Sequence, residues 1–359
     1  MMNRTLCLII CILAALFVPQ PSRACTAFFL DGGGQRLVGK NFDWYVGNGF
    51  VVVNKRHVKK AAIIAAVGDQ PMVSWTSKYG SITFDIFGCE LPVGGMNEAG
   101  LVVTALHLKQ TEYPAADSRL AIPQLQWRQY HLDNSSTVKE VIASDSQIRI
   151  VTPISRPFPA HYFVCDKSGD CASIEFIGGK LVCHTRETMP AKVLTNSPYA
   201  ECVELLRKHQ GFGGKLPIPY GSLSGVRFVR AASMAKNYDP KMPKSVVDYG
   251  FDILANVAQG SRTKWRILYD MRKLGVYFHT LANQQVRYVD LKSFDFSCAS
   301  PVKVLDINAD LSGDVTDSFQ NYTRLLHRKW VTNIGNLYRL PKDITDVVSQ
   351  YPERTVCTQ

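Results

Sequence analysis

Cys25 stands directly behind a segment built like an export leader, and that position can give it two reactive groups instead of one. If the chain is cut after Ala24, the Cys25 thiol shares its residue with a free α-amine. An α-amine has a pKa of roughly 7.7–8.0 and a cysteine thiol roughly 8.5, so a proton passes between them at little cost. The amine can accept the thiol proton as sulfur attacks and return it to a departing amine. Such a pair suits acyl transfer, in which an amide is attacked, an acyl-thioester forms and water releases the acid. The chemistry also needs a carboxylate to orient the ammonium and donors for a tetrahedral oxyanion. Asp43, in Gly39-Lys40-Asn41-Phe42-Asp43-Trp44, offers a carboxylate eighteen residues after Cys25. Asn196, in Leu194-Thr195-Asn196-Ser197-Pro198, can donate through its side-chain amide or merely cap the helix that follows. Arg227, in Ser224-Gly225-Val226-Arg227-Phe228-Val229-Arg230, is a further cation at a helix start, with an ordinary ion pair as its plainer role.

The leader itself reads MMNRTLCLIICILAALFVPQPSRA over residues 1–24. Arg4 precedes an apolar run from Leu6 to Val18, two prolines follow, and Ser22 and Ala24 are the small residues a signal peptidase prefers. The run is too short to span a bilayer, so the expectation is an exported chain, periplasmic or secreted, with residues 25–359 as one mature domain. The competing reading makes Cys25 a lipoprotein acceptor, which would acylate the α-amine and abolish the base. Arg23 and the small Ser22 sit badly with that motif.

Hydrophobic content of 46% and charged content of 20% describe an ordinary globular chain. No later segment is long and apolar enough to cross a membrane. The formal charge is +11, of which Arg4 and Arg23 of the leader supply two. The cations are scattered, and the densest run, Lys55-Arg56-His57-Val58-Lys59-Lys60, reads as a solvated basic surface, giving nucleic-acid binding little support. Eight cysteines follow the leader, and Cys165 with Cys171 flank a Gly-containing turn between alternating strands. Those two can pair across the hairpin or remain buried thiols.

The elements that must position these residues are strand-rich at first. CTAFFL, RLVGKNF, FVVVNK, AAIIAAV, SITFDIF and LVVTALHL are short β-branched or aromatic runs between turn residues. A helix is expected near Ile122–Asp133, and another after Thr137-Val138-Lys139-Glu140, which has capping-box spacing. Strands resume at His161–Val164, Ala172–Phe176 and Lys192–Thr195. Helices are expected at Tyr199–His209, Val226–Asn237 and Val246–Ala258, with Ser245 as a cap for the last. Strands return at Lys264–Asp270, Val276–Thr280 and Gln285–Asp290, and the tail from Leu311 is polar and partly helical. Blocks of strands, then helices, then strands indicate an α+β protein with antiparallel sheets. The CTAFFL and RLVGKNF strands, joined as a hairpin, would bring Cys25 and Asp43 together.

Taken in order, Cys25-Thr26, Gly39–Trp44, Gly95-Met96-Asn97-Glu98-Ala99-Gly100-Leu101, Leu194–Pro198 and Arg227-Phe228-Val229-Arg230 resemble the choloylglycine hydrolase family. That family holds conjugated bile salt hydrolases and penicillin V acylases and belongs to the N-terminal-nucleophile hydrolases. The resemblance implies a four-layer αββα fold with two stacked antiparallel sheets. It also implies Cys25 as nucleophile and base, Asp43 holding the amine, Asn196 in the oxyanion hole and Arg227 supporting the thiol. Two positions depart from the family's pattern. Lys40 stands where the family usually has Arg, keeping the charge but losing the planar two-pronged donor. His107 stands where many bile salt hydrolases carry Asn, and its ring N–H could serve the oxyanion in that place. The pattern looks closer to exported penicillin V acylase-like enzymes of Gram-negative bacteria, some of which accept N-acyl homoserine lactones.

The expected activity is hydrolysis of a linear amide with a bulky or long apolar acyl group, without metal or organic cofactor. Conjugated bile salts, penicillin V and acyl homoserine lactones are the substrate classes. Family members often form tetramers, so a homo-oligomer is expected. The alternative is a lipidated or catalytically inactive periplasmic binding protein of the same fold. Trp44 and Trp75 are candidates for an acyl pocket, with core packing as the plainer role.

Overall fold

A computed structural model of the chain describes residues 24–64, 70–152 and 159–358. Thr26–Gly32 and Gln35–Asp43 form an antiparallel hairpin in which Thr26 faces Asn41 and Ala27 faces Lys40. The turn runs through Gly33 and Gly34 at φ of 58° and 78°, a left-handed backbone that glycine adopts without a Cβ clash. Phe28 crosses directly over Gly39, where a Cβ would lie 2.3 Å from its ring, so only glycine admits that crossing. The hairpin therefore carries Cys25 to the end of the second strand where Lys40 and Asp43 stand.

Around this hairpin grows a seven-stranded sheet. Its order is Val193–Leu194, Thr26–Gly32, Gln35–Asp43, Thr263–Asp270, Gly275–Thr280, Arg287–Asp290 and Gly313–Asp314. A nine-stranded sheet runs Lys180–Thr185, Cys171–Ile177, Ala160–Cys165, Val102–His107, Pro92–Asn97, Ser81–Asp85, Phe50–Asn54, Lys303–Asp306 and Gln320–Asn321. Every pairing in the two is antiparallel except that of Arg287 and Tyr288 with Gly313 and Asp314 at one edge.

The period of two along each strand sorts side chains to opposite faces and so stacks the layers. Between the sheets, Phe84 meets Trp265, Tyr269 and Phe278 at ring-centroid distances of 6.4, 5.9 and 5.4 Å. Val102, Leu106 and Phe163 belong to that inner core. Val103, Tyr162 and Val164 face the other way, onto Trp127 of the Gln124–Asn134 helix. The helices Ser224–Lys236 and Val246–Asn256 cover the other sheet, and Tyr199–Leu206 packs on the first of these. The result is the αββα order, an α+β fold.

Local expectations fare unevenly. The Thr137–Glu140 capping box forms with both reciprocal bonds, and the Ser245 hydroxyl accepts from Asp248 N at 3.1 Å. The helix expected from Ile122 starts at Gln124, behind Pro123. The strand expected at Lys192–Thr195 shortens to Val193–Leu194. Of AAIIAAV, only Ala61 among the described residues is in a strand, which runs from Val58 with alternating burial, and residues 65–67 of that run lie outside the described residues. The leader expected over residues 1–24 lies outside them too, except for Ala24.

The basic run at 55–60 is only in part a solvated surface: His57 and Lys59 are exposed, whereas Lys55 and Lys60 are buried. Lys60 is fully buried between Glu90 and Asp133, at 2.6 and 2.9 Å. Lys55 donates to the Asp295 carbonyl and the Ser300 hydroxyl, and Arg56 pairs with Glu98 at 2.7 Å. Lys60 thus neutralises internal acids, because a buried charge must be paired to be tolerated.

Cys165 and Cys171 face each other across their hairpin with Cα atoms 4.1 Å apart and are disulfide-bonded. A second disulfide, Cys298–Cys357, joins residues 59 positions apart. No described helix is long and apolar enough to cross a membrane.

Candidate active site

Cys25 is a free cysteine, 4% exposed, beside the end of the Gln35–Asp43 strand. Its backbone nitrogen donates to Asn196 Oδ1 at 2.7 Å. Asn196 reaches that point because Val193–Leu194 pairs with Ala27 and Phe28 at the sheet edge, carrying the following residues past Cys25. Its amide is fully engaged on the oxygen side, accepting also from Arg227 Nη2 at 2.8 Å. The amide nitrogen donates one hydrogen to the His107 carbonyl at 2.8 Å, which leaves its second hydrogen for another acceptor. Asn196 does not cap the Tyr199–Leu206 helix, which has no side-chain cap.

Arg227 sits in the first turn of the Ser224–Lys236 helix and is 1% exposed. Its Nη1 donates to the Cys25 carbonyl at 2.7 Å and to Thr26 Oγ1 at 2.5 Å, and its Nε to the Ser222 carbonyl. The guanidinium thus grips the backbone that carries the thiol. Burial lowers its pKa, and the charges of Asp43 and Cys25 oppose that shift.

Lys40, 2% exposed, hydrogen-bonds the Cys25 side chain and donates its Nζ to the Ala105 carbonyl at 2.6 Å. Burial pulls its pKa down, while Cys25 and Asp43 pull it up.

Asp43 is 1% exposed. Its Oδ1 accepts from Thr263 Oγ1 at 2.5 Å, and its Oδ2 has no hydrogen-bond partner among the described residues. Burial raises its pKa to about 6, against the opposing pull of the Thr263 hydroxyl and then of Arg227, Lys40 and Arg266. Thr263 faces Asp43 because the pairing of these strands slips by one residue between Thr263 and Trp265.

The structure therefore gathers buried Cys25, Lys40, Asp43 and Arg227 and half-buried Asn196 in one cluster, with contacts that differ in detail from expectation. With Ala24 attached, the Cys25 nitrogen is a peptide N–H with one hydrogen, and it goes to Asn196 and not to Asp43. Arg227 holds the Cys25 carbonyl more directly than the sulfur. His107 contributes its carbonyl, through Asn196, and lines the adjacent cleft.

That cleft opens beside Cys25 and is walled by Phe42, Trp44, Phe87, Val93, Leu106 and Leu125. Gln124 and Arg128 are polar members of its lining. Trp75, the other expected wall, instead donates to Asp133 Oδ2 and packs on Tyr130 in the outer core. Sequence reasoning missed Thr263, Phe87 and Arg128. Nothing local marks them, since a cleft wall and a core use the same residue types. No cluster of three or more His, Cys, Asp or Glu able to hold a metal occurs among the described residues.

Comparison with known proteins places this geometry. The model of the linear amide C–N hydrolases, choloylglycine hydrolase family, matches residues 25–304. Penicillin V acylase of Pectobacterium atrosepticum is 30% identical over 269 residues, which are 64% of this chain and 70% of that protein. The structure of penicillin V acylase from Agrobacterium tumefaciens superposes with a TM-score of 0.72 at 28% identity, covering 83% of this chain and 98% of that one. A conjugated bile acid hydrolase from Clostridium perfringens shares the fold, with a TM-score of 0.66 at 23% identity over 80% of this chain and 98% of that one.

Proposed function

The chain belongs to the choloylglycine hydrolase family of linear amide C–N hydrolases, and from that premise we propose that it is exported, cut after Ala24, and hydrolyses N-acyl amides through an acyl-thioester on Cys25. The observation that carries this reading is the cluster of buried Lys40, Asp43 and Arg227 with half-buried Asn196 around a cysteine at the edge of an apolar cleft. The family match begins at Cys25, which supports that residue as the mature terminus. Two disulfides suit an oxidising compartment and support export.

In the proposed reaction the α-amine of mature Cys25 takes the thiol proton, and Sγ attacks the amide carbonyl carbon. Lys40 stabilises the developing thiolate, while Arg227 holds the Cys25 backbone in place. The remaining Asn196 N–H donates to the oxyanion, and the Oδ2 of ionised Asp43 orients the Cys25 ammonium. The ammonium then protonates the leaving nitrogen as the C–N bond breaks. Water, deprotonated by the amine, attacks the thioester carbonyl, and the acid departs as the thiol is restored.

The acyl half lies in the cleft, whose aromatic walls suit an aryloxyacetyl group, so penicillin V is the first substrate to test. The test incubates the N-terminally processed protein with penicillin V, a glycine-conjugated bile salt and an N-acyl homoserine lactone, and measures released amine. Penicillin V should be hydrolysed, Cys25→Ser should lose at least about a thousandfold in kcat, and N-terminal mass spectrometry should find an unmodified Cys25. A lipid-modified terminus, or turnover that survives Cys25→Ser, rules the mechanism out.

A further inference from the structure

The family match ends at residue 304, yet the chain beyond it helps to build the cleft. The Arg324–Tyr338 and Lys342–Gln350 helices close over residues 86–91, the connection between the Ser81–Asp85 and Pro92–Asn97 strands. Trp330 Nε1 donates to the Ile86 carbonyl at 3.0 Å, and Cys89 N donates to His327 Nε2 at 3.1 Å. A Cβ at Gly88 would lie 3.0–3.2 Å from Val348, His327 and Val331, so both helices bear directly on this connection. Phe87 in its middle lines the Cys25 cleft, and its ring lies 5.6 Å from that of Tyr338. Trp44, on the same cleft, donates its indole N–H to the Tyr338 hydroxyl. The far end of the segment is fastened as well. Val356–Cys357 pairs with Val58–Lys59, Cys357 is bonded to Cys298, and the Tyr351 hydroxyl donates to the Ala61 carbonyl at 2.6 Å.

We propose that the segment beyond residue 304 sets which acyl groups the cleft accepts, with Tyr338 as the positioning residue that fixes the Trp44 and Phe87 walls. The inference rests on the reading that the cleft takes the acyl half of the substrate. Two aromatic walls grip a flat acyl group only at a set spacing and tilt, since ring pairs have preferred geometries. An indole has one N–H, and the acceptor it finds selects the orientation of the whole ring. Tyr338 supplies that acceptor to Trp44 while its own ring packs on Phe87, so one side chain fixes both walls. An acetyl group is too short to feel the walls, whereas an aryloxyacetyl group spans them.

The test compares wild type, Tyr338→Phe, Trp44→Phe and the double variant, each as the full processed chain. The substrates are penicillin V and the N-acetyl amide of the same amine. Tyr338→Phe is expected to lower kcat/KM for penicillin V about five- to tenfold, mainly through KM, the scale of one lost neutral hydrogen bond. Turnover of the acetyl amide should stay within about twofold, and the loss on penicillin V should vanish in the Trp44→Phe background. An unchanged ranking of the two acyl groups, or full additivity with Trp44→Phe, overturns the inference.

Phe87→Leu trims the other wall without touching the hydrogen bond, and it serves if Tyr338→Phe melts early. It must shift the same ranking, and an unchanged ranking overturns the inference. A wild type inert on every amide overturns the function reading instead. Binding of phenoxyacetate, followed by tryptophan fluorescence, then decides the role of Tyr338, and equal affinity in wild type and Tyr338→Phe counts against it.

Discussion

Asp43 is the residue whose environment makes the most specific demand. Burial lifts its carboxyl to about 6, and the Thr263 hydroxyl is the strongest influence pulling it back. In an unfolded chain the same carboxyl titrates near 3.8, so the folded state holds its proton to higher pH. The contribution of Asp43 to stability therefore falls as pH rises from about 4 to about 6 and is level above that. Activity has the opposite slope in the proposed mechanism, because only the ionised carboxylate orients an ammonium. Thr263→Val should push the Asp43 pKa higher and carry the acid limb of kcat/KM with it. The variant is expected to lose roughly two- to fivefold at pH 6 relative to wild type and little at pH 8. A pH profile that overlays wild type would detach Asp43 from the titration. Cys25, Asp43, Asn196 and Arg227 were legible because each lies in a short motif at a strand or helix end. Thr263 was not, because its role comes from a one-residue slip between strands more than two hundred positions apart.

Among the elements, the Thr26–Asp43 hairpin does most of the positioning. Its alternation and paired glycine turn were readable, and the register that follows sets Cys25 beside the Lys40–Asp43 stretch. Gly39 fixes how tightly the two strands cross, since the Phe28 ring occupies the space a methyl would need. Gly39→Ala should cost about 1–3 kcal/mol by overpacking. It should also depress turnover, because Lys40 is the next residue on the strand. Thermal melting and kinetics on one preparation check both, and unchanged values for both would show that the strand yields freely. AAIIAAV shows where such reading fails. A continuous apolar run has no period to reveal its element, and the strand observed is the alternating Val58–Ala61, which takes in only the first residue of the run among those described. Lys60 belongs to that strand, so a cluster that looked like surface charge is partly core.

For the whole molecule, the α+β class was deducible from blocks of strands and helices, the αββα layer order only from the family resemblance, and the closure of its two ends from neither. Cys298 and Cys357 lie in stretches without a common pattern, and the antiparallel pairing of Val356–Cys357 with Val58–Lys59, together with the bridge of Ser297 to Arg56, brings them near. Tyr338 and Trp44 are 294 positions apart and likewise meet only in the folded chain. Replacing Cys298 by Ser should destabilise the protein by about 2–4 kcal/mol, the usual scale for a bridge that closes a long loop. Denaturant unfolding of oxidised wild type against the variant measures the difference. If acyl preference in that variant drifts toward that of Tyr338→Phe, the fastening of the tail and the shape of the cleft are one system.

Trp44 and Tyr338 sit near opposite ends of the polypeptide, so their contact has a consequence for synthesis. A ribosome finishes Cys25 and its sheet-edge neighbours long before Tyr338 leaves the exit tunnel, and the Trp44 and Phe87 walls lack their backing until then. A nonsense codon shortly after residue 304 would leave the whole family-matched region intact. The product would still carry its nucleophile and every residue that lines the cleft, yet lack the contact that holds Trp44 and Phe87 in place.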